Sequence, residues 1–171
     1  KELRARGAVF VKELKEIPDG AVTVFSAHGV SEAIEKNANE RGLPVIDATC
    51  PLVSKVHIEG RRHADLGLEV IMIGHNGHPE VEGTRGRIPG GVQVVSSSED
   101  VLSLKVHDSK KLAFVTQTTL SVDDTRNIID TLRKRFPDIQ GPDLKDICYA
   151  TQNRQQSVRD LCGNIELLLV V

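Results

Sequence analysis

The densest cluster of reactive side chains is Gly74-His75-Asn76-Gly77-His78-Pro79-Glu80, two histidines three residues apart with a carboxylate two residues later. Its glycines let the backbone turn closely around a ligand, and the proline after His78 stiffens the turn. Convergent titratable groups of this kind suit proton transfer or anion binding. His75, His78 and Glu80 are also competent zinc ligands, which leaves a zinc hydrolase open, and an ordinary polar loop would carry the same letters. His28 precedes Gly29 in a second His-Gly pair. A third segment, Thr116 to Ser121, offers hydroxyls and N–H groups that could cradle phosphate oxygens. Capping of a helix by Ser121 accounts for that serine but not for the run of threonines.

The three cysteines are Cys50, Cys148 and Cys162. An odd number without tight spacing argues against a secreted disulfide framework and for reduced thiols, structural or metal-binding. Cys50 stands directly before Pro51, and Asp-Ala-Thr-Cys at 47–50 is echoed by Asp-Ile-Cys at 146–148. Both cysteines therefore read as strand-to-helix junctions, where free amides and the helix dipole favour a thiolate able to bind iron or zinc. A small buried hydrophobe is the competing reading. Cys162 shares an apolar spacing with Val158, Leu161 and Ile165 and is expected in a core. His57, His63 and His107 read as solvated surface positions, as do the basic runs at 110–111 and 133–135.

These residues need elements to carry them. Apolar runs from Ala21 to Phe25, Pro44 to Ile46, Val70 to Ile73, Val92 to Val95, Leu112 to Val115 and Ile165 to Val171 read as buried strands, separated by segments of helical period. Alternation of strand and helix predicts an α/β fold with small parallel sheets. Ser31, Thr49 or Cys50 with Pro51, and Ser121 mark helix starts; Gly42 and Gly67 mark stops. Each polar motif then follows a strand, at the carboxyl edge where open parallel sheets bind ligands.

Composition narrows the partners. Lys+Arg total 22 against Asp+Glu 24, a net charge of -2, which gives no basic excess to attract nucleic acid or an anionic membrane. No apolar run reaches the ~20 residues that span a bilayer, and the opening residues do not resemble a signal peptide, so a cytoplasmic location is expected. The chain opens on what reads as the last turn of a helix and closes inside an apolar run, as an internal piece of a longer protein would.

Five strings in this order and spacing, FSAHGVS from Phe25, DATCPLVSKVH from Asp47, GHNGHPEVEGT from Gly74, TQTTLSVDDT from Thr116 and ICYATQNRQ from Ile147, resemble the 4-hydroxy-3-methylbut-2-enyl diphosphate reductases of the non-mevalonate isoprenoid route. The resemblance covers essentially all 171 residues. It implies a cloverleaf of three small α/β domains around a 4Fe-4S cluster. The chain would hold about one and a half to two of them: residues 1–50 from the first, 51–147 as the complete second, and 148–171 as the start of the third.

Matched motif to motif, the resemblance implies that Cys50 and Cys148 are cluster ligands, with the third cysteine absent from this chain, upstream of Lys1. His28, His78 and Thr118 would contact an allylic diphosphate, Glu80 would donate the proton and Thr118 could relay it. The products would be isopentenyl and dimethylallyl diphosphate, and the electrons would come singly from a ferredoxin or flavodoxin. Another substrate histidine would lie upstream, and a Ser-x-Asn motif and a further serine downstream. Cys162 matches no ligand of the family. The competing readings are a non-catalytic diphosphate-binding module built on His28, His78 and the threonine loop, and the zinc hydrolase.

Overall fold

The computed structural model describes residues 2–142 and 144–169. A short helix α1 (Glu2–Ala5) and a single 3-10 turn at Leu14–Glu16 precede the first sheet. In that sheet β1 (Thr23–Phe25) lies parallel to β2 (Val45–Asp47), with Val24 opposite Ile46. Helix α2 (Glu32–Glu40) makes the crossover. Ser31 caps it by accepting from the Ile34 amide at 3.3 Å, and Gly42 ends it at a φ of +62°. Phe25, Ala38 and Leu43 form the small core beneath, and Arg41 donates to the Leu14 and Ile17 carbonyls at 2.7 Å, clamping the 3-10 turn against α2.

The second sheet holds β3 (Glu69–Ile73) between β4 (Gln93–Val95) and β5 (Leu112–Thr116), all parallel. Its two longer strands read as unbroken apolar runs because both faces are covered, as a parallel sheet requires. Val70, Met72 and Val115 meet Val56 of α3 (Pro51–Asp65) and Val81 of α4 (Pro79–Arg85) on one face. Ile71, Ile73 and Phe114 meet Val101 of α5 (Ser98–Ser103) and Ile128, Ile129 and Leu132 of α6 (Val122–Arg135) on the other. Each such side chain, fully buried, contributes roughly 1.5–3 kcal/mol. Helix α7 (Tyr149–Cys162) follows. Among the described residues no helix is long and apolar enough to cross a membrane.

The α/β architecture and five of the six expected strands are present, with ends shifted by one or two residues. The sixth is not: Ile165 to Leu169 form no strand, and Val170 and Val171 lie outside the described residues. An apolar run becomes a strand only when a neighbour takes up its N–H and C=O groups, and no described strand flanks this one. Cys162 is exposed rather than in a core, because no residue of α7 is buried. The surface expectation for His57 also fails. It is 7% exposed, and His63 is partly covered with a buried Nδ1 that has no partner. Both project from the side of α3 that packs inward, a side fixed by Val53, Val56 and Gly60. His107 is solvated as expected, its ring 3.3 Å from Glu69.

Candidate functional site

Every polar motif lies at the carboxyl edge of a strand: Ser26 to Gly29 after β1, Ala48 to Cys50 after β2, Gly74 to His78 after β3 and Gln117 to Ser121 after β5. The β1 loop turns on Gly29, whose amide donates to the Ser26 carbonyl at 3.0 Å with a φ of +74°. No side chain fits there, since a Cβ would stand 2.7 Å from His57 Cε1. The turn exposes His28, whose Nδ1 lies 3.3 Å from Ser26 Oγ. Its ring meets that of His78 edge to face at 5.4 Å between centroids.

His78 is the N-cap of α4 and accepts from the Glu80 amide through Nδ1 at 3.2 Å, with Pro79 in the first helical position. That cap turns Glu80 inward, where it is 1% exposed. Its carboxylate takes the Thr118 amide on Oε1 at 2.6 Å and the Thr118 hydroxyl on Oε2 at 3.0 Å. Burial raises the Glu80 pKa above the ordinary carboxylate value, while the two Thr118 bonds and the nearby His28 pull it back. Burial, with His28 and His75 close by, lowers the pKa of His78.

Thr118 passes the chain of contacts on, its carbonyl accepting from the Cys148 amide at 2.7 Å. At the other end the Cys50 amide donates to the Ala27 carbonyl at 3.0 Å, beside His28. Cys50 and Cys148 thus terminate one continuous path through His28, His78, Glu80 and Thr118. Both are N-caps, of α3 and α7, and neither thiol makes a capping hydrogen bond. Both are free and partly covered, which leaves the sulfurs available to a metal.

The structure keeps other expected partners apart. His75 is exposed and its amide donates to Gln117 Oε1 at 3.0 Å, while His78 Nδ1 and both Glu80 oxygens are already engaged. Among the described residues no group of three or more His, Cys, Asp or Glu side chains could hold a metal ion, so the zinc reading has no assembled ligand set. A cavity of about 480 Å³ lies across the threonine loop between Thr119 to Ser121 and Arg154, Gln155 and Arg159. Thr119 and Ser121 of the expected phosphate cradle line it, whereas His28, Cys50, His78, Glu80, Thr118 and Cys148 do not.

Four residues have partners that the sequence does not reveal. Buried Gln117 joins the β3 and β5 loops, and Asp47 accepts the Thr49 amide at 2.9 Å and hydroxyl at 2.5 Å, which lowers its pKa and shapes the turn into Cys50. Lys55 of α3 and fully buried Asp146 meet at 2.5 Å. Their only advance signal is the recurrence of an aspartate shortly before each cysteine.

The family described as LytB protein matches residues 1–171. The chain belongs to that family. Over 169 residues the LytB chain is 62% identical to the 4-hydroxy-3-methylbut-2-enyl diphosphate reductase of Zymomonas mobilis subsp. mobilis, covering 99% of this chain and 50% of that protein. It is 58% identical over 170 residues to the enzyme of the same name from Dechloromonas aromatica, covering 99% and 56%. Among solved structures, the E-1-hydroxy-2-methyl-but-2-enyl-4-diphosphate reductase of Plasmodium falciparum superposes with a TM-score of 0.88 at 40% identity, covering 95% of this chain and 51% of that one. A second structure, of (E)-4-hydroxy-3-methyl-but-2-enyl diphosphate reductase, gives 0.77 at 30% identity, covering 96% and 58%. The LytB chain therefore spans about half the length of the relatives it matches.

Proposed function

We propose that this chain is the central part of a 4-hydroxy-3-methylbut-2-enyl diphosphate reductase, with Cys50 and Cys148 supplying two thiolates to a 4Fe-4S cluster whose remaining cysteine lies in another part of the protein. The reaction consumes the allylic alcohol diphosphate, two electrons and two protons, and yields isopentenyl or dimethylallyl diphosphate and water. When bound, the cluster would supply the electrons one at a time, taken from a donor of the ferredoxin or flavodoxin class, and Lewis acidity toward the hydroxyl group.

The chain's own residues handle binding and protons. His28 and His78, side by side at the strand edge, face the anionic substrate. Glu80 holds the proton. Burial moves its pKa upward, toward the protonated acid, against the Thr118 bonds and His28, and the negative field of a bound diphosphate would move it further in the same direction. Thr118, bonded to Glu80 through both its N–H and its hydroxyl, orients the carboxyl and relays the proton. The observation that carries this reading is the Glu80–Thr118–Cys148 linkage, in which one threonine holds a buried acid through its N–H and hydroxyl and the backbone amide of Cys148 through its carbonyl. We assign residues 1–50, 51–147 and 148–171 to successive α/β domains of a cytoplasmic enzyme.

The test is metal analysis of the anaerobically purified full-length protein, paired with turnover of the allylic diphosphate under a one-electron reductant. About four irons per chain with turnover supports the reading. One zinc and no iron, or diphosphate binding with no metal, would replace it with the hydrolase or the binding module.

A further inference from the structure

Two routes of contact join the cysteine-bearing loops, the first running through His28, His78, Glu80 and Thr118. The second is the ion pair between Lys55 Nζ and Asp146 Oδ1 at 2.5 Å. Lys55 is the fifth residue of α3, the helix that Cys50 caps, and Asp146 stands two residues before Cys148, the cap of α7. Among the described residues this is the one side-chain hydrogen bond between α3 and the turn that leads into α7.

The two partners differ in what they require. Lys55 is half exposed and has Glu59 at 3.5 Å on its own helix, so it does not depend on Asp146 for solvation or charge. Asp146 is fully buried, and its Oδ2 has no hydrogen-bond partner. A buried carboxylate satisfied on one oxygen alone costs more than an amide or an apolar side chain in the same place would. Stability by itself does not favour an aspartate here; a fixed, directional contact with Lys55 does. Buried ionic contacts are best attested where they set register between elements.

We propose that Lys55 and Asp146 form a brace that fixes the separation of Cys50 and Cys148, so that the two thiols are held at one geometry before a cluster is present. The inference rests on reading those cysteines as ligands. Lys55 and Asp146 are positioning residues, touching neither substrate nor metal. Removing the ammonium releases the turn at Leu144 to Ile147 and lets Cys148 move relative to Cys50, although the Cys50 amide keeps its bond to Ala27 and the Cys148 amide its bond to Thr118.

The experiment uses the full-length protein without cluster, with Cys50 and Cys148 as its only cysteines, both carrying nitroxide labels whose dipolar coupling reports the distance distribution. With Lys55 present the distribution should be single and narrow. Lys55→Met should broaden it at least twofold, Lys55→Arg should return it close to the original width, and amide exchange of β3 and β5 should stay unchanged in all three. In the protein with all its cysteines, Lys55→Met should lower iron content at least threefold after anaerobic purification. A Lys55→Met distribution as narrow as the original would overturn the brace, and so would broadening accompanied by equal loss of protection in β3 and β5. An iron-free parent whose distribution still broadens on Lys55→Met would sustain the brace and overturn the ligand assignment.

Discussion

Glu80 is the residue on which most of the proposed chemistry depends, and its environment explains why a carboxyl group can serve there. Burial holds its pKa up, and Thr118 prevents the acid from rotating away. Glu80→Gln keeps shape and size while removing the transferable proton, so turnover should fall on the order of 100-fold or more with little change in KM or in cluster absorbance. Near-normal turnover in steady-state assays of that variant would take Glu80 out of the proton path. His57 supports a second prediction at this scale. Burial, helped by Arg87, lowers its pKa from 6.5 to about 4 in the folded chain. Between those two values the unfolded chain carries a proton on His57 that the folded chain does not. Its contribution to stability is therefore complete above pH 6.5, falls as pH drops through this window and levels off below about 4. Urea melts across that range should show a shallower pH dependence for His57→Gln than for the parent; equal slopes would mean His57 is not the group responsible.

Among the elements, the helix starts carry most of the site. Ser31, Cys50, His78, Ser121 and Cys148 are all N-caps, so the chemistry of the site and the termini of the helices share residues. The Pro51 position and the Ser31 and Ser121 caps were legible in advance, because capping is a local property of a few adjacent residues, whereas Pro79 read only as part of a turn. The packing of one turn on another was not. Gly29 combines a left-handed backbone with the His57 ring where a Cβ would stand, whereas Gly42 has the same sign of φ and open space around it. Gly29→Ala should therefore cost more than Gly42→Ala by roughly 1–3 kcal/mol, read from urea midpoints. Equal losses would mean that the close approach to His57 has no energetic weight.

At the scale of the molecule, the chain is two small parallel sheets and a third helical segment whose apolar residues, among them Tyr149, Leu161 and Leu167, are exposed. An α/β protein covers such surface with further layers, and the relatives are about twice as long. If Cys50 and Cys148 are the two ligand thiols proposed above, iron and sulfide supplied anaerobically to the isolated 171 residues should give no stoichiometric 4Fe-4S absorbance. A stable stoichiometric spectrum would show that Cys162 or a second copy completes the ligand set.

What could be known from the sequence is what local chemistry decides. The alternation of apolar and periodic segments determines an α/β fold, capping residues determine where the helices begin, and the ordered motifs around His28, Cys50, Glu80, Thr118 and Cys148 identify the family. Tertiary structure alone decided the rest, since it depends on partners distant in the chain. Thr118 reaches Glu80 across 38 residues and Lys55 reaches Asp146 across 91. His57 is buried because α3 rolls that side inward, and the run after Ile165 forms no strand because no described neighbour pairs with it. Apolar spacing states which face of an element is able to be buried; only the other elements determine whether it is.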